Sequence, residues 1–418
     1  MDIHLVEYNL KSNDAYAALR IKDFRWFIIS RFVLTLAIQM QSVVVGWQVY
    51  ALTHDALSLG MIGIAEVIPF LCVTLFAGHV ADIVNRKKII VFSGLVYFIC
   101  AAGLLFVSTS LQPVLSAYGA MPIYLIIFIT GLARGFMSPA QFAFMAQLIP
   151  RELFGNASTW NSVSWQVAEI TGPAIGGLVY GFLGVGQAYT TVVFFSAIGW
   201  FLFLIIKNKT MPERVKKETV WQGLSSGLKF VFGHQMVLSA LSLDMFAVFF
   251  GGAVSVLPIF ADQVLHTGAK GLGFLRAAPA LGAIIMSVVQ AHHPPFKRAG
   301  KNLLFAVFGF GLCIISFALS RNFYLSLFIL LLSGMFDNVS VVIRATIIQL
   351  YTPDDMRGRV SAVNGIFIGS SNELGSFESG LAARLLGLIP SVIFGGSMTL
   401  AVVMSVRKFA PKLRELKL

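Results

Sequence analysis

The sequence predicts an all-α integral membrane protein whose twelve transmembrane helices form two pseudo-symmetric six-helix bundles. Three observations support this fold class: an apolar composition, a series of long apolar stretches and an internal repeat. Hydrophobic residues make up 57% of the 418-residue chain and charged residues only 12%, with a mean hydropathy of +0.81. Soluble domains are about half apolar and about a quarter charged. The composition therefore excludes an ordinary soluble enzyme, a disordered chain and a secreted disulfide scaffold.

Apolar stretches long enough to cross a bilayer alternate with short polar connections along the whole chain. The predicted spans are 25–51, 58–80, 88–109, 121–146, 157–182, 188–206, 237–261, 271–291, 302–320, 323–348, 360–386 and 389–406. The predicted domains are a cytoplasmic N-terminal segment 1–24, a first bundle 25–206, a cytoplasmic linker 207–236, a second bundle 237–406 and a cytoplasmic basic tail 407–418.

Basic residues concentrate in alternate connections between the spans. Clusters occur at 86–88, 207–217, 297–301 and 407–417, whereas the opposite connections contain few lysines or arginines. Basic loops of membrane proteins stay in the cytoplasm. Both termini are therefore predicted to be cytoplasmic, in a plasma membrane such as the bacterial inner membrane. The net charge of +12 is then a consequence of topology, and no nucleic-acid partner is predicted.

Glycine and proline positions repeat between the two halves of the chain. A shift of 203 residues aligns Gly131 with Gly334, and a shift of 210 residues aligns Pro69 with Pro279. Six spans per half place an even number of helices between equivalent positions. The halves should therefore be parallel repeats around an axis along the membrane normal, an arrangement typical of transporters with a substrate site between the halves.

Ten ionisable residues lie well inside the predicted spans, where each is costly unless it faces a partner or water. They are Arg31, Glu66, Arg134, Glu169, Asp244, Arg276, Asp337, Arg344, Glu373 and Glu378. The third, sixth, ninth and twelfth spans contain none. This pattern predicts that these four helices face lipid and that the other eight surround a hydrated cavity.

The repeat aligns charges of opposite sign, Arg134 with Asp337 and Glu66 with Arg276. Facing halves could therefore bring Arg134 close to Asp337. A purely structural ion pair is the alternative for the residues near mid-span. Three arginines near span ends could instead extend to the membrane surface: Arg31, Arg276 and Arg344.

Carboxyl groups inside such a cavity are candidates for proton coupling, because a carboxyl group removed from water can exchange protons near neutral pH. Glu373 is the first candidate for the proton carrier and Asp244 the second. The predicted coupling set comprises Glu373, Asp337, Arg134, Glu169, Asp244 and Glu378.

Four polar or aromatic residues of the first and fifth spans could line a pocket for an aromatic solute: Gln39, Trp47, Gln48 and Trp165. Ordinary packing between helices is the alternative. No metal site is predicted, because the seven histidines and three cysteines do not cluster at ligand spacing. No cofactor is predicted either, because the GxxxxGK[ST] loop of ATP-binding proteins is absent. A proton gradient is therefore the expected driving force.

The connection between the second and third spans, residues 78–88, resembles the GxxxDRxGRR/K signature of the major facilitator superfamily. The resemblance implies a gate that latches the cytoplasmic side in the outward-facing state, formed by Gly78, Asp82, Arg86 and Lys87. Ile83 and Asn85 replace the usual arginine and glycine. Because asparagine tolerates a left-handed turn, the geometry of the loop is expected to survive.

Further motifs resemble the same superfamily. The GPAIGG segment of the fifth span resembles the core of its antiporter signature and implies a hinge at Gly172, Pro173, Gly176 and Gly177. Residues 131–135 resemble the arginine motif of its fourth helix, which is associated with proton coupling. Residues 46–48 and 353–360 resemble the branch that contains enterobactin exporters and related efflux proteins.

These features predict a secondary transporter, not an enzyme, that exports a siderophore or an amphipathic drug in exchange for protons. Two bundles would rock around a central site, giving alternating access. Uptake of a nutrient by symport or facilitated diffusion is the second hypothesis, because no residue encodes direction. A non-transporting membrane sensor is the third. The expected partners are the lipid bilayer, a small-molecule substrate and protons, and a monomer is the default for this fold.

Overall fold

The computed structural model describes residues 16–150, 153–207, 220–252, 255–292, 295–353 and 356–416, and all regular secondary structure in these ranges is helical. The long helices are α1 (Lys22–Thr53), α2 (Ala56–Ile83), α3 (Arg86–Thr109), α4 (Met121–Leu148), α5 (Phe154–Ile205), α6 (Val220–Gly233), α7 (Gln235–Gly251), α8 (Gly268–His292), α9 (Ala299–Leu319), α10 (Phe323–Tyr351), α11 (Arg357–Leu386) and α12 (Leu388–Phe409). Shorter helices occur at Ala17–Arg20, Gln112–Tyr118, Leu257–Ile259, Phe260–Val264, Pro295–Arg298 and Pro411–Arg414.

A helix occupies each predicted span, but the fifth and sixth spans form one helix, α5. The chain continues through Gly184, whose backbone (φ 86°, ψ 177°) is not helical. Glycine adopts such a conformation without steric cost. Among the described residues, nine helices are long and apolar enough to cross a membrane, or ten if one bent pair forms a single span. The count of twelve crossings stays a prediction.

Polar residues in the short connections determine where several helices begin. Asp55, Asn85 and Asn322 precede α2, α3 and α10, and each side chain accepts a hydrogen bond from a backbone amide of the first turn, at 3.0, 3.0 and 3.1 Å. Such bonds satisfy amides that have no partner within the helix. The polar connections therefore define helix starts in addition to separating the apolar spans.

The second half begins differently from the prediction. The linker 207–236 contains helix α6, which the sequence analysis did not predict, and the segment Ser225–Gly233 is bent by 100° from α7. Residues 208–219 of the linker lie outside the described part of the chain. Helix α7 ends at Gly251, ten residues before the predicted end, where two glycines follow each other and weaken the helix.

The repeat seen in the sequence corresponds to equivalent helix contacts. Gly131 of α4 lies against the backbone carbonyl of Glu66 in α2, and Gly334 of α10 lies against the carbonyl of Pro279 in α8. In each half the absence of a side chain lets two backbones touch. The fourth helix of each half is thus packed on the second helix through the aligned glycine.

The two halves meet along α2 with α11 and along α5 with α8. A Cβ atom at Gly60 would lie 3.0 Å from the carbonyl oxygen of Phe377, and one at Gly177 would lie 2.6 Å from the Cα atom of Gly273. We call the end of the bundle at which α1 ends the distal side, and the end at which it begins the proximal side. The contacts of Gly60 with Phe377 and of Gly177 with Gly273 lie in the distal half. In the proximal half of α11, a Cβ atom at Gly365 would have no neighbour within 4 Å.

The third, sixth and ninth spans, which have no charge well inside them, present apolar stripes to the outside. The exposed side chains recur every seven residues, which keeps them on one helix face: Phe92, Ile99 and Phe106 of α3, Phe194 and Phe201 of α5, and Phe305, Leu312 and Leu319 of α9. Large apolar side chains exposed in this way form a surface suited to lipid. Their positions agree with the predicted lipid-facing role of these helices.

Candidate functional site

An arginine between two glutamates lies at the centre of the molecule. Nη1 of Arg134 in α4 donates hydrogen bonds to Oε1 of Glu66 in α2 at 2.6 Å and to Oε1 of Glu373 in α11 at 3.1 Å. The three side chains are 21–30% exposed, and the guanidinium lies 5.1 Å from the ring centroid of Phe70. We call these three residues the central triad.

The central triad connects the two halves of the protein. Arg134 and Glu66 belong to the first half and Glu373 to the second, at the place where the backbone of Glu373 touches Gly63. The repeat had suggested that Arg134 would face Asp337, and the structure differs. Arg134 is instead satisfied by Glu66 of the neighbouring helix α2, since Gly131 brings α4 into contact with α2 one turn away.

Two further carboxylates of the predicted cavity have no ion-pair partner among the described residues: Glu169 of α5 and Asp337 of α10. The side chain of Asp337 is exposed and that of Glu169 is half-buried. Both acids stay candidates for the proton-coupling set.

A second ion pair lies within the C-terminal half. Arg344 of α10 and Asp244 of α7 form a direct pair in which both residues are almost completely buried, 6% and 7% exposed. Arg344 also donates to the hydroxyl of Ser340 at 3.4 Å. This differs from the alternative in which Arg344 extends to the membrane surface, because Asp244 offers a partner inside the bundle. Asp244 is therefore held in a structural pair and is less available as a proton carrier.

Replacing Arg344 by glutamine is expected to lower the free energy of unfolding by about 3–5 kcal/mol, because it leaves the Asp244 charge buried without a partner. Thermal unfolding of the purified protein in detergent measures the change. The double variant Arg344→Gln/Asp244→Asn should recover most of the loss. A single variant as stable as the parent protein would contradict a buried ion pair at this position.

The predicted pocket residues do not form one pocket. Gln48 is buried, donates to Ser108 at 2.8 Å and accepts from the hydroxyl of Tyr189 at 2.6 Å. Trp47 packs edge-on against Tyr50 and Tyr180, with ring centroids 6.0 and 6.3 Å apart. Both residues thus take part in packing within the N-terminal half, which is the alternative noted from the sequence.

Gln39 and Trp165 have more freedom. The side chain of Gln39 is half-buried, and its Cβ atom lies 2.6 Å from the position that a Cβ atom at Gly172 would occupy. Trp165 is 37% exposed. On α11, the partly buried Glu378 makes no ion pair with a described residue. These residues stay candidates for contact with a solute.

The connection with the gate signature is built differently from the expected turn. Asn85 has φ −55° and ψ 118°, which is not left-handed, and its side chain caps α3. Asparagine thus replaces the usual glycine through its capping oxygen. Arg86 donates to the carbonyl of Ala143 at 3.5 Å, and Lys87 donates to the carbonyl of Leu204 at 2.9 Å. The surroundings of Gly78 and the side chain of Asp82 lie outside what the structure describes.

The GPAIGG segment lies at two helix contacts. A Cβ atom at Gly176 would lie 2.8 Å from the Cα atom of Met40 in α1, and Gly177 touches Gly273 of α8 across the two halves. Helix α5 continues through Pro173, and its non-helical residue is Gly184. The segment therefore acts as a site of close approach, and its role as a hinge stays a prediction.

Polar contacts that were not predicted from the sequence join the halves on the distal side. The hydroxyl of Tyr50 donates to Asp262 at 2.9 Å, and Arg384 lies 4.0 Å from Asp55. Each pair joins residues far apart in the sequence, and no pattern within one helix indicates it. Within the described ranges no three His, Cys, Asp or Glu side chains are grouped as a metal site requires.

The family described as transmembrane secretion effectors, which belongs to the major facilitator superfamily, matches residues 13–417. Enterobactin exporters EntS of Escherichia coli O1:K1 and of Shigella boydii serotype 18 are each 26% identical to the chain over 402 residues, which cover 92% of this chain and 93% of theirs.

Solved structures of transporters have the same fold. A POT family transporter in complex with 5-aminolevulinic acid superimposes with a TM-score of 0.72 and 11% identity, covering 93% of this chain and 96% of the other. A D-xylose–proton symporter superimposes with a TM-score of 0.69 and 14% identity, covering 94% and 99%. The chain therefore belongs to the transmembrane secretion effector family of the major facilitator superfamily, and it is a membrane transporter of the branch that includes enterobactin exporters.

Proposed function

We propose that this transporter exports a small organic molecule, such as a siderophore or an amphipathic drug, in exchange for protons. Its relatives are exporters by name, which supports the direction of transport. The transporter would work as a monomer in the bacterial inner membrane, with both termini in the cytoplasm and without a cofactor. The basic connections on the proximal side support this topology.

The central triad carries the proposal. Glu373 accepts a hydrogen bond from Arg134 across the two halves, and this bond is strongest while Glu373 carries its negative charge. Protonation of Glu373 would remove that charge and weaken the bond, while Glu66 would continue to hold Arg134 within the first half. A proton would thereby favour separation of the halves at this level, so that proton binding is linked to opening of the distal side.

The closed distal contacts support the order of events. With the distal side closed and the proximal side in the cytoplasm, substrate would enter from the cytoplasm. Protons arriving from outside would reach Glu373 after the distal contacts open and would leave on the return to the closed state. Each half-cycle would thus pair one direction of substrate movement with the opposite direction of proton movement.

Replacing Glu373 by glutamine is expected to reduce substrate-dependent proton flux at least about tenfold, because the side chain can no longer be charged or release a proton. Inverted membrane vesicles with an acidified interior report the flux. A panel of catecholate siderophores, hydroxamate siderophores and cationic dyes provides the substrates. Exchange of labelled substrate across the membrane without net proton movement should persist in the variant.

The matched control removes an exposed carboxylate, Glu415→Gln, whose partner Arg414 lies 3.6 Å away in the C-terminal segment. This variant should transport like the parent protein. If Glu373→Gln keeps full proton flux, Glu373 is not the proton carrier. If no compound of the panel moves protons while the protein is folded and inserted, proton-coupled export is wrong.

A further inference from the structure

Arg276 of α8 is a cation without an ion-pair partner in the part of the chain that the structure describes. Its Nε atom is buried and makes no hydrogen bond, and the side chain forms no ion pair with any residue that the structure describes. The other three arginines well inside the predicted spans have partners. Arg134 and Arg344 are bound to carboxylates, and Arg31 donates to the amide oxygen of Asn161.

The internal repeat explains why Arg276 is unpaired. Its equivalent in the first half is Glu66, which is bound to Arg134, and the equivalent of Arg134 is Asp337. The pair Arg276–Asp337 would therefore be the charge-reversed counterpart of Glu66–Arg134. It does not form, and the side chain of Asp337 is exposed.

A difference in helix register separates the two charges. In the first half the aligned glycine of α4 lies against residue Glu66 itself, whereas in the second half the aligned glycine of α10 lies against Pro279, three residues beyond Arg276. Three residues correspond to about 4.5 Å along a helix. Asp337 is thus displaced toward the proximal side, and its side chain is shorter than that of the arginine it replaces.

Arg276 shares one face of α8 with two polar residues, Ser287 and Gln290. Ser287 and Gln290 follow it by eleven and fourteen residues, which places all three on one side of the helix. Ser287 and Gln290 both donate to the amide oxygen of Asn338 in α10, at 3.3 and 2.9 Å. One turn to the distal side of Arg276, Gly273 closes against Gly177 of α5. Arg276 therefore lies just inside the closed distal contact.

An unpaired guanidinium inside a membrane protein is unstable unless something compensates it. Arginine keeps its proton in proteins, so the charge is not lost by deprotonation. A buried charge without a partner costs several kcal/mol. The planar guanidinium binds two oxygen atoms of one anionic group side by side, which a carboxylate or a catecholate offers.

We propose that Arg276 binds the acidic group of the transported molecule, so that the substrate class is an organic acid with paired oxygen acceptors, a carboxylate or a catecholate. The inference rests on the proposed function, because it assigns the substrate of the same cavity. It assigns two tasks to different helices. Arg276 of α8 holds the substrate, while Glu373 of α11, Glu169 of α5 and Asp337 of α10 stay available to protons.

Binding to the purified full-length protein in detergent tests the proposal, with three probes: 2,3-dihydroxybenzoate, its methyl ester and tetraphenylphosphonium. We expect 2,3-dihydroxybenzoate to bind the parent protein, and Arg276→Gln to raise its dissociation constant at least about tenfold. If Arg276→Gln raises the dissociation constant of the methyl ester equally, the catechol oxygens are the bound group. If the acid binds and the methyl ester does not, the carboxylate is the bound group. The matched control is Lys270→Gln, which removes another cation of α8, one held 4.9 Å from the Phe182 ring centroid.

Three results would overturn the assignment. They are equal affinity of the parent protein and Arg276→Gln for both catechol probes, binding of tetraphenylphosphonium alone, and no binding of either catechol probe. A separate measurement, proton flux in vesicles, tests the proposed function. Binding that depends on Arg276, without proton flux in vesicles, would contradict proton antiport and support the Arg276 site. Proton flux that persists in Arg276→Gln would support antiport and contradict the Arg276 site.

Thermal unfolding without ligand provides a second readout. Arg276→Gln should raise the melting temperature by at least about 2 °C, because it removes a charge that has no ion-pair partner among the described residues and whose Nε atom is buried without a hydrogen bond. Arg344→Gln, which breaks a buried pair, should lower it. A decrease for Arg276→Gln as large as that for Arg344→Gln would show a structural pairing of Arg276 and would also overturn the proposal.

Discussion

Substitution of Arg134 by glutamine is expected to reduce transport at least about a hundredfold, the largest effect of any single charge removal in the protein. Glu66 and Glu373 would then face the same site without a cation, and breaking a partly dry ion pair costs about 3–5 kcal/mol. One of the two carboxylates would have to hold a proton permanently. Substrate-dependent proton flux in inverted vesicles, normalised to the amount of folded protein, measures the effect.

A double variant separates folding from coupling. Arg134→Gln/Glu66→Gln leaves a single carboxylate at the site, so no two negative charges face each other. The double variant should therefore recover the melting temperature of the parent protein. Proton flux should stay low, because Glu373 no longer has a partner across the two halves. Recovery of flux in the double variant would show that Arg134 serves stability alone.

Much of the fold followed from the sequence because membrane helices are defined by composition and length. The boundaries that failed depend on backbone geometry. Helix α5 runs from the fifth span into the sixth because Gly184 turns the chain without ending the helical hydrogen bonding on either side. Helix α6 follows the lysine-rich stretch 207–217. No long apolar stretch in the sequence indicated a helix there.

The residues of the site were predictable one by one, whereas their pairing was not. A charge inside an apolar span is evident from the sequence, as for Glu373 and Arg344. The partner of such a charge depends on helix register. The glycine contacts set this register, and it differs by three residues between the halves. Alignment of the repeat therefore suggested Arg134 with Asp337, while the structure forms Arg134 with Glu66 and Glu373.

Gln48 shows a second limit of the sequence. A glutamine in a helix that borders a cavity can face either the cavity or a neighbouring helix, and helical spacing does not distinguish these directions. Here Ser108 and Tyr189 surround it, and both come from helices that the sequence marked as lipid-facing. A hydrogen-bonded group in the interior of one half is a packing element, since a buried polar group needs partners.

The central triad and the distal contacts are parts of one device. Glu373 provides its carboxylate to Arg134 and its backbone to the contact with Gly63, so the charge and the closed packing lie on the same turn of α11. A change in the charge of Glu373 therefore acts where the halves touch. This proximity gives a physical reason for coupling that requires no longer chain of intermediate residues.

Replacement of Gly63 by alanine is expected to prevent the distal side from closing and to reduce transport at least about fivefold. A Cβ atom at this position would overlap the carbonyl of Glu373 and would lie 3.3 Å from Cβ of Ser376. Overpacking of this kind costs about 1–3 kcal/mol, which shifts the balance between two states by roughly 5- to 150-fold. Labelling of Ser376→Cys by a membrane-impermeant thiol reagent, in a background without the three native cysteines, should increase in the variant.

The matched control is Gly365→Ala on the proximal half of α11, where a Cβ atom would have no neighbour within 4 Å. Both variants add one methyl group to a helical glycine, so they share the effect on backbone flexibility and differ only in what the methyl group meets. Transport and labelling of Gly365→Ala should therefore match those of the parent protein. If Gly63→Ala also leaves labelling of Ser376→Cys unchanged, the distal side does not close through this contact, and the coupling between Glu373 and closure loses its structural basis.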